Sequence, residues 1–77
     1  VYHNNNDKII ILENYKQAYQ YFMKAANQGF TISQYHVGFC FETGNGVEKD
    51  SNEAKKWYQL AANQGHQNAI AKLQNLM

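Results

Sequence analysis

The pentapeptide Ala-Ala-Asn-Gln-Gly occurs twice in this chain of 77 residues, first at Ala25–Gly29 and again at Ala61–Gly65. The agreement extends well beyond these letters when residues 14–41 are aligned with residues 50–77. A segment that recurs after about 20 to 50 residues is typical of proteins built by stacking one small unit. The aligned pairs include Ala18 with Ala54, Tyr21 with Trp57, Phe22 with Tyr58, Ala25 with Ala61 and Ala26 with Ala62.

Each copy carries the pattern of an amphipathic helix. Its apolar residues recur at positions i, i+3, i+4, i+7 and i+8, which form one stripe on a helix of about 3.6 residues per turn. Because such a stripe is buried against a neighbouring element, it supplies the predicted core. The predicted core residues are Trp57, Tyr58, Phe22, Ala61 and Ala25.

Both copies also have matching start and stop signals. Asn14 and Asp50 can each accept a hydrogen bond as an N-cap, and each is followed three residues later by a Gln or Glu that can reach back. Gly29 and Gly65 suit the left-handed position that ends many helices. We therefore predict a helix over 14–28 and an equivalent helix that begins after Asp50.

Two further segments complete the repeat. We predict a helix over about 31–43, with Gly38 as a position where a neighbouring backbone can approach closely, and a degenerate copy of it over 67–77. Residues 1–12 are Asn-rich at the start and show no periodicity, so we expect a loop or frayed tail there. The sequence predicts an all-α fold: a right-handed stack of four helices, about two helix-turn-helix units of an α-solenoid.

One long motif spans the second unit. It runs through Ser33, Val37, Gly38, Phe41, Gly44, Gly46, Val47, Asp50, Ala54, Trp57, Tyr58, Ala61, Ala62, Gly65 and His66. In this motif the chain resembles the Sel-one-like repeat (SLR), a relative of the tetratricopeptide repeat. The resemblance implies repeats over 13–77, with a full unit at about 31–65, inside a longer array. Residues 4–11 depart from it, because they lack the Gly-x-Gly-Val loop.

The charge composition limits the classes of partner that the chain is expected to bind. A formal net charge of +1 creates no field that recruits nucleic acid or an anionic membrane, and Lys49, Lys55 and Lys56 are interleaved with acidic residues. RNA binding by a helical repeat stays open as a minor alternative. The longest aliphatic run, residues 9–12, is too short to cross a bilayer, and no signal peptide is evident. We expect a soluble, cytoplasmic protein.

The residues that could carry chemistry form no recognisable site. His3, His36 and His66 lack metal-ligand spacing, and Cys40 has no visible base and is expected to pack as a small apolar group. The Gly-Asn-Gly at 44–46 follows a helix rather than a strand, so we interpret it as a turn and not a phosphate cradle. We predict no catalytic residue, no cofactor and no metal. A hydrolase, as ascribed to some bacterial relatives, would need a nucleophile-base pair that is not visible.

The helix over 31–43 is apolar on two sides. Its core stripe is Ser33, Val37 and Phe41, whereas a second apolar line lies nearly opposite. Either an adjacent helix covers this second line, or the line faces a partner in a groove, and the two are about equally supported. The line corresponds to the concave groove of tetratricopeptide-like solenoids. The candidate groove residues are Ile32, Tyr35, Phe39, Glu42, Asn68 and Asn75.

The resemblance implies an adaptor. We therefore expect a non-enzymatic protein-protein interaction module that binds a peptide or a protein surface through this concave face. The alternative is a structural spacer or regulatory repeat segment of a larger multidomain protein. In either case the expected partner is protein rather than nucleic acid or membrane.

Overall fold

The computed structural model of the protein describes residues 5–76, with side chains described for residues 11–76. Within this part of the chain there are four α-helices and no strand. Their bounds are α1 Asn5–Asn27, α2 Thr31–Thr43, α3 Ser51–Asn63 and α4 Gln67–Leu76. Each helix packs mainly on the next one along the chain. The predicted all-α repeat fold is confirmed.

The repeated pentapeptide closes both α1 and α3 in the same way. Gly29 and Gly65 have φ angles of 94° and 89°. Beyond them, Phe30 N–H donates to the Ala25 carbonyl, and His66 N–H donates to the Ala61 carbonyl. This is a Schellman closure, which requires a residue that tolerates positive φ. The stop signals were therefore predicted correctly, and the pentapeptide recurs because it encodes this turn as well as part of the helix.

The starts of the two helices differ. Asp50 caps α3, because its Oδ1 accepts hydrogen bonds from Asn52 N at 3.0 Å and Glu53 N at 3.1 Å. The reciprocal half of the predicted capping box does not form, since Asp50 N–H donates to the Phe41 carbonyl at 2.9 Å instead. Asn14 is not a cap, as it lies in the middle of α1.

Because α1 runs through Asn14 toward the N-terminus, the prediction for residues 1–12 is also corrected. The expected loop or tail at 1–12 is helical from Asn5 onward, while residues 1–4 lie outside the described residues. The chain has no proline, and its first glycine is Gly29. Nothing upstream of Asn14 therefore breaks a helix, and a weak cap signal does not stop one.

The core lies between α2, α3 and α4 and is centred on Tyr58, which is fully buried. Its ring sits against Gly38: a Cβ built on that glycine would lie 2.7 Å from Tyr58 Cδ1 and 3.2 Å from the Ala54 carbonyl oxygen. Both distances are too short for ordinary packing, so only glycine allows α3 to come this close. The prediction of a close approach at Gly38 is confirmed.

The predicted core is only partly correct. Tyr58 and Ala61 are fully buried, whereas Phe22, Ala25 and Trp57 are half-buried. Successive residues on a helix point about 100° apart, so when Tyr58 faces Gly38 its neighbour Trp57 is turned toward the edge of the interface. The sequence pattern identified the correct stripe but not which aromatic residue fills its centre.

The turn between α2 and α3 packs back on α1. Gly46 has a φ of 76°, and a Cβ at this position would overlap the backbone carbonyl of Tyr15. The Gly-Asn-Gly segment is therefore a tight connection between helices, as predicted, and its second glycine lets the loop contact α1 directly.

Candidate protein-binding surface

The candidate groove residues divide into an exposed set and a half-buried set. On α2, Ile32 is 65% exposed, whereas Tyr35, Phe39 and Glu42 are half-buried. Asn68 and Asn75 are exposed on α4. We refer to the four α2 residues Ile32, Tyr35, Phe39 and Glu42 as the α2 line.

Tyr35 connects the α2 line to the start of α4. Its ring stacks on His66 with centroids 4.7 Å apart and planes inclined by 23°. It also lies 5.5 Å from the ring of Tyr58, and so packs against the core from the side. Tyr35 thus forms part of the wall of the surface and part of the core at once.

His66 has a structural role that fixes the direction of α4. Its Nδ1 accepts a hydrogen bond from Ala69 N at 3.2 Å, and its carbonyl accepts one from Ile70 N. The imidazole therefore acts as the N-cap of α4, in the manner of the short polar side chains that more often cap helices. An accepting Nδ1 carries no proton, so the neutral ring has its proton on Nε2.

A small polar cluster joins three helices at the other end of the α2 line. The hydroxyl of Tyr58 donates to Glu42 Oε1 at 2.5 Å, and Lys72 Nζ lies 3.2 Å from the same carboxylate oxygen. The same ammonium group is 5.4 Å from the centroid of the Phe39 ring, within the range of a cation-π contact. Glu42 on α2 is therefore held by α3 and α4 together.

The protonation states in this cluster follow from these contacts. Partial burial acts to raise the pKa of Glu42, but the hydrogen bond from Tyr58 and the hydrogen bond and charge of Lys72 outweigh it and lower that pKa. Burial and the neighbouring Glu42 carboxylate raise the pKa of Tyr58 well above its ordinary value. At neutral pH the pair therefore consists of a carboxylate acceptor and a phenol donor.

These contacts define what the surface offers. The charge of Lys72 is neutralised by Glu42. The ring of Tyr35 is covered on one side by His66, and the ring of Phe39 by Lys72. What stays open is one aliphatic side chain, Ile32, together with the exposed amides of α4. The arrangement is a nearly uncharged surface with an apolar contact at one end.

Sequence reasoning missed two residues that shape this surface. Lys72 lies four residues after Asn68 and thus on the same side of α4, so the periodicity that selected Asn68 could have found it. His66 was considered only as a possible metal ligand and as the last residue of the repeat motif, and its capping role had little sequence signal because histidine is not a preferred N-cap residue.

The remaining candidates for chemistry are accounted for by packing. Cys40 is buried, and burial raises the pKa of its thiol. The ring of His36 stacks on Phe22 at 4.5 Å. Across the described residues no three His, Cys, Asp or Glu side chains gather in a way that could hold a metal ion. His3 lies outside the described residues. None of the four helices, as far as they are described, has the length and apolarity to cross a membrane.

The four helices form successive helical hairpins, and the α2 line is only partly covered by neighbouring side chains. These features define the class of the protein as a helical-repeat module of the α-solenoid type. A family model described as the Sel1 repeat matches residues 3–30 and 31–66. The chain belongs to the Sel1 repeat family, which confirms the resemblance seen in the sequence.

Several curated proteins are similar to this chain. DAP3-binding cell death enhancer 1 from Rattus norvegicus is 46% identical over 61 residues, which cover 79% of this chain and 12% of that protein. Chitin synthase regulator SKT5 from Saccharomyces cerevisiae is 36% identical over 59 residues, covering 77% and 8%. Putative sel1-like repeat-containing protein L21 from Acanthamoeba polyphaga mimivirus is 53% identical over 34 residues, covering 44% and 6%.

The chain thus spans 12% or less of the length of these relatives. Two of them are named as a regulator and as a binding protein. No solved structure matches the chain.

Proposed function

We propose that this chain is a non-enzymatic protein-binding module that holds a peptide or a protein surface on the α2 line and the neighbouring amides Asn68 and Asn75. The observation that carries the proposal is Ile32, a β-branched aliphatic side chain that is 65% exposed beside two half-buried aromatic residues. Family membership and the names of the similar proteins support a role in binding rather than in catalysis.

The chemistry of the surface favours a partner of low charge. Glu42 and Lys72 satisfy each other, so neither presents a free charge to a ligand. Ile32 supplies apolar contact area, while the exposed amides can each donate and accept hydrogen bonds. An aliphatic or aromatic side chain placed on Ile32, with backbone groups paired to Asn68 and Asn75, fits this pattern and requires neither a cofactor nor nucleic acid.

The half-buried residues have a supporting role in this proposal. Tyr35 and Phe39 form the side of the surface. Glu42 fixes the position of α2 relative to α3 and α4 through its contacts with Tyr58 and Lys72. Binding energy is then concentrated at the exposed residues, whereas truncation of the wall also disturbs the fold. Replacing Tyr35 and Phe39 would therefore mix the two effects.

A cleaner experiment replaces Ile32. Peptides from a displayed random library are selected on the intact chain and then measured by calorimetry against Ile32→Ser. The matched control is Leu60→Ser, because Leu60 is also an exposed aliphatic residue, 45% exposed, but lies on α3 outside the α2 line. We expect Ile32→Ser to weaken binding about tenfold, roughly the loss of one apolar contact of 1 to 2 kcal/mol.

The outcome for the control decides the interpretation. Leu60→Ser is expected to bind as tightly as the unchanged chain. If both variants bind equally well, the α2 line is not the binding surface. If Leu60→Ser loses binding instead, the partner docks on α3.

A second candidate is a structural spacer or regulatory repeat segment in a larger protein. It is favoured by the intramolecular partners of Tyr35, Phe39 and Glu42, which leave only part of the α2 line open. A spacer would yield no library peptide that depends on Ile32, although it would still be needed for the stability of the protein that contains it. Under either candidate we propose that the chain belongs to a longer array.

A further inference from the structure

The ring of His66 is placed so that its charge affects how α4 begins. It is half-buried at the junction of α3 and α4. Its Nδ1 accepts the hydrogen bond from Ala69 N–H at 3.2 Å, and its face lies on the ring of Tyr35 with centroids 4.7 Å apart. A ring nitrogen of histidine accepts a hydrogen bond only while it carries no proton. The contact with Ala69 therefore requires a neutral ring.

Protonation of the ring acts against this contact in two ways. With a proton on Nδ1, two N–H groups face each other and the backbone donor of Ala69 loses its acceptor. The imidazolium also brings a positive charge to the amino end of α4, where the helix dipole favours negative charge. Both effects destabilise the first turn of α4.

The first turn of α4 has little else to hold it. The helix has ten residues, which is too short for stability in isolation. Gln67 and Asn68 are exposed, and only Ala69 in this turn is fully buried. The ion pair of Lys72 with Glu42 lies further along the helix. The first turn therefore depends strongly on the cap that His66 provides.

The titratable groups around the ring leave this response intact. From α2, Tyr35 presents its aromatic face, which also attracts an imidazolium, so the stack survives protonation although the cap does not. From α3, Tyr58 lies behind Tyr35 and donates its hydroxyl to Glu42. On α4, Lys72 is paired with the same carboxylate.

The carboxyl end of α3 does not compensate the charge either. Its Ala61 carbonyl is already paired with the backbone N–H of His66. The ion pairs of the described side chains, Lys56 with Glu53 and Lys72 with Glu42, do not include this ring. A proton on the ring therefore adds a charge that no described carboxylate neutralises.

We propose that His66 is a pH-sensitive cap that regulates the candidate binding surface: the neutral ring keeps the first turn of α4 formed and Asn68 in place, and the protonated ring releases that turn. Histidine changes charge between about pH 5 and 8, so the cap is present on the alkaline side of this range and lost on the acid side. The regulation of binding rests on the proposed function, whereas the change in α4 does not.

Amide hydrogen exchange at pH 7 and pH 5 tests the cap. Glu42 remains a carboxylate at both values, because its pKa is lowered. Each measured rate is divided by the intrinsic rate at its own pH, and protection is followed at Ala69 on α4 and at Ala61 on α3. We expect protection at Ala69 to fall about fivefold at pH 5, the effect of losing one cap, while protection at Ala61 changes by less than about twofold.

Two variants separate His66 from other titrating groups. His66→Asn keeps a residue that caps helices but does not titrate, so protection at Ala69 should be nearly equal at both pH values. The matched control is His36→Gln, which removes the histidine that contacts Tyr35 edge-on. It should respond to pH as the parent does. Nitrogen-15 NMR of the parent imidazole supplies a reading that needs no variant, since it should show Nδ1 without a proton at pH 7.

Several results would overturn the proposal. One is protection at Ala69 in the parent that does not change between pH 7 and pH 5. Others are an equal change in His66→Asn, an equal loss at Ala61, which would mean that the whole fold responds to acid, and a proton on Nδ1 of His66 at pH 7.

The effect on the surface is measured with a library peptide that has blocked ends and no histidine, aspartate or glutamate. It should bind the parent about fivefold more weakly at pH 5 than at pH 7, and bind His66→Asn equally at both. An affinity that does not depend on pH, together with pH-dependent protection at Ala69, would overturn the regulation of the surface. If no library peptide binds, the proposed function fails, and exchange at Ala69 still decides whether the cap responds to pH.

Discussion

α1 and α3 share the repeated pentapeptide and its turn but not an environment. Both end in the same pentapeptide and the same left-handed glycine, yet α3 begins at a capped Asp50 whereas α1 extends back to Asn5. The stripe of α3 is buried between two helices, and that of α1 is covered on one side. The repeated residues therefore specify the end of the helix and its closure locally, whereas burial depends on which neighbouring helices are present.

Alanine substitutions at Tyr58 and Phe22, which occupy the same repeat position, should differ most in the free energy of unfolding that they remove. Tyr58→Ala removes a fully buried ring from the core, at a cost of about 3 to 5 kcal/mol, comparable with what a core of this size supplies. Phe22→Ala removes a half-buried ring and should cost about 1.5 kcal/mol. Circular dichroism should therefore show an unfolded Tyr58→Ala chain and a folded Phe22→Ala chain. Equal losses would show that the two helices are equally covered.

A second pair tests the close contact that makes α3 different. Gly38→Ala places a Cβ 2.7 Å from the Tyr58 ring, and the resulting strain of about 1 to 3 kcal/mol should exceed the gain of about 1 kcal/mol in helix propensity. Gln74→Ala, at the same repeat position on the exposed side of α4, should change stability by less than about 0.5 kcal/mol. Urea unfolding measures both. A Gly38→Ala variant more stable than the parent would contradict the packing assigned to Tyr58.

A third substitution makes α3 resemble α1 by removing one hydroxyl. Tyr58→Phe deletes the donor to Glu42 and is expected to cost about 1 to 2 kcal/mol, since hydrogen bonds to charged groups are stronger than neutral ones. The ring still fills the space beside Gly38, so the chain should remain folded. A melting temperature unchanged from that of the parent would mean that Lys72 alone satisfies the carboxylate.

The same cluster predicts a pH dependence. Because the pKa of Glu42 is lowered in the folded chain, its contribution is fully present above the ordinary glutamate value of about 4.3. That contribution is lost as the pH falls through the lower folded value. Glu42→Gln should therefore be less stable than the parent at pH 7 and should approach it in acid. Parallel stability curves for the two chains between pH 7 and pH 3 would rule out this coupling.

The smallest effect compares the two predicted caps. Asp50→Ala removes an acceptor of two backbone N–H groups and should cost about 1 kcal/mol. Asn14→Ala acts on an exposed position inside α1, where alanine is the better helix former, and should be neutral or slightly stabilising. Thermal melts of the two variants give the comparison. A matching loss at Asn14 would indicate that α1 begins there after all.

Sequence alone predicted the features that are encoded locally. The positive φ at Gly29 and Gly65, the cap at Asp50 and the close approach at Gly38 each depend on one residue with few alternatives. The helical start of α1 was missed, because a run of asparagine and isoleucine has no strong propensity and continues a helix that is stabilised further along.

The candidate surface was predicted as a line of side chains but not as a set of contacts. The periodicity of α2 placed Tyr35, Phe39 and Glu42 on one side, which is a local property. That Glu42 pairs with Lys72 and Tyr58 depends on the angle at which three helices meet, and no single segment encodes that angle. The exposure of Ile32 likewise depends on the arrangement of the neighbouring helices, which, within the described residues, leave most of this side chain uncovered.

The most direct measurement of the difference between α1 and α3 is amide hydrogen exchange at two identical letters of the repeated pentapeptide, Ala25 and Ala61. The two amides follow different residues, Lys24 and Leu60, so each measured rate is divided by the intrinsic rate for its own sequence. The resulting protection factor reports local opening. Protection that is clearly higher at Ala61 than at Ala25 is the predicted result. Equal protection, or more at Ala25, would contradict the claim that the repeat ends both helices in the same turn but buries only the second one on both sides.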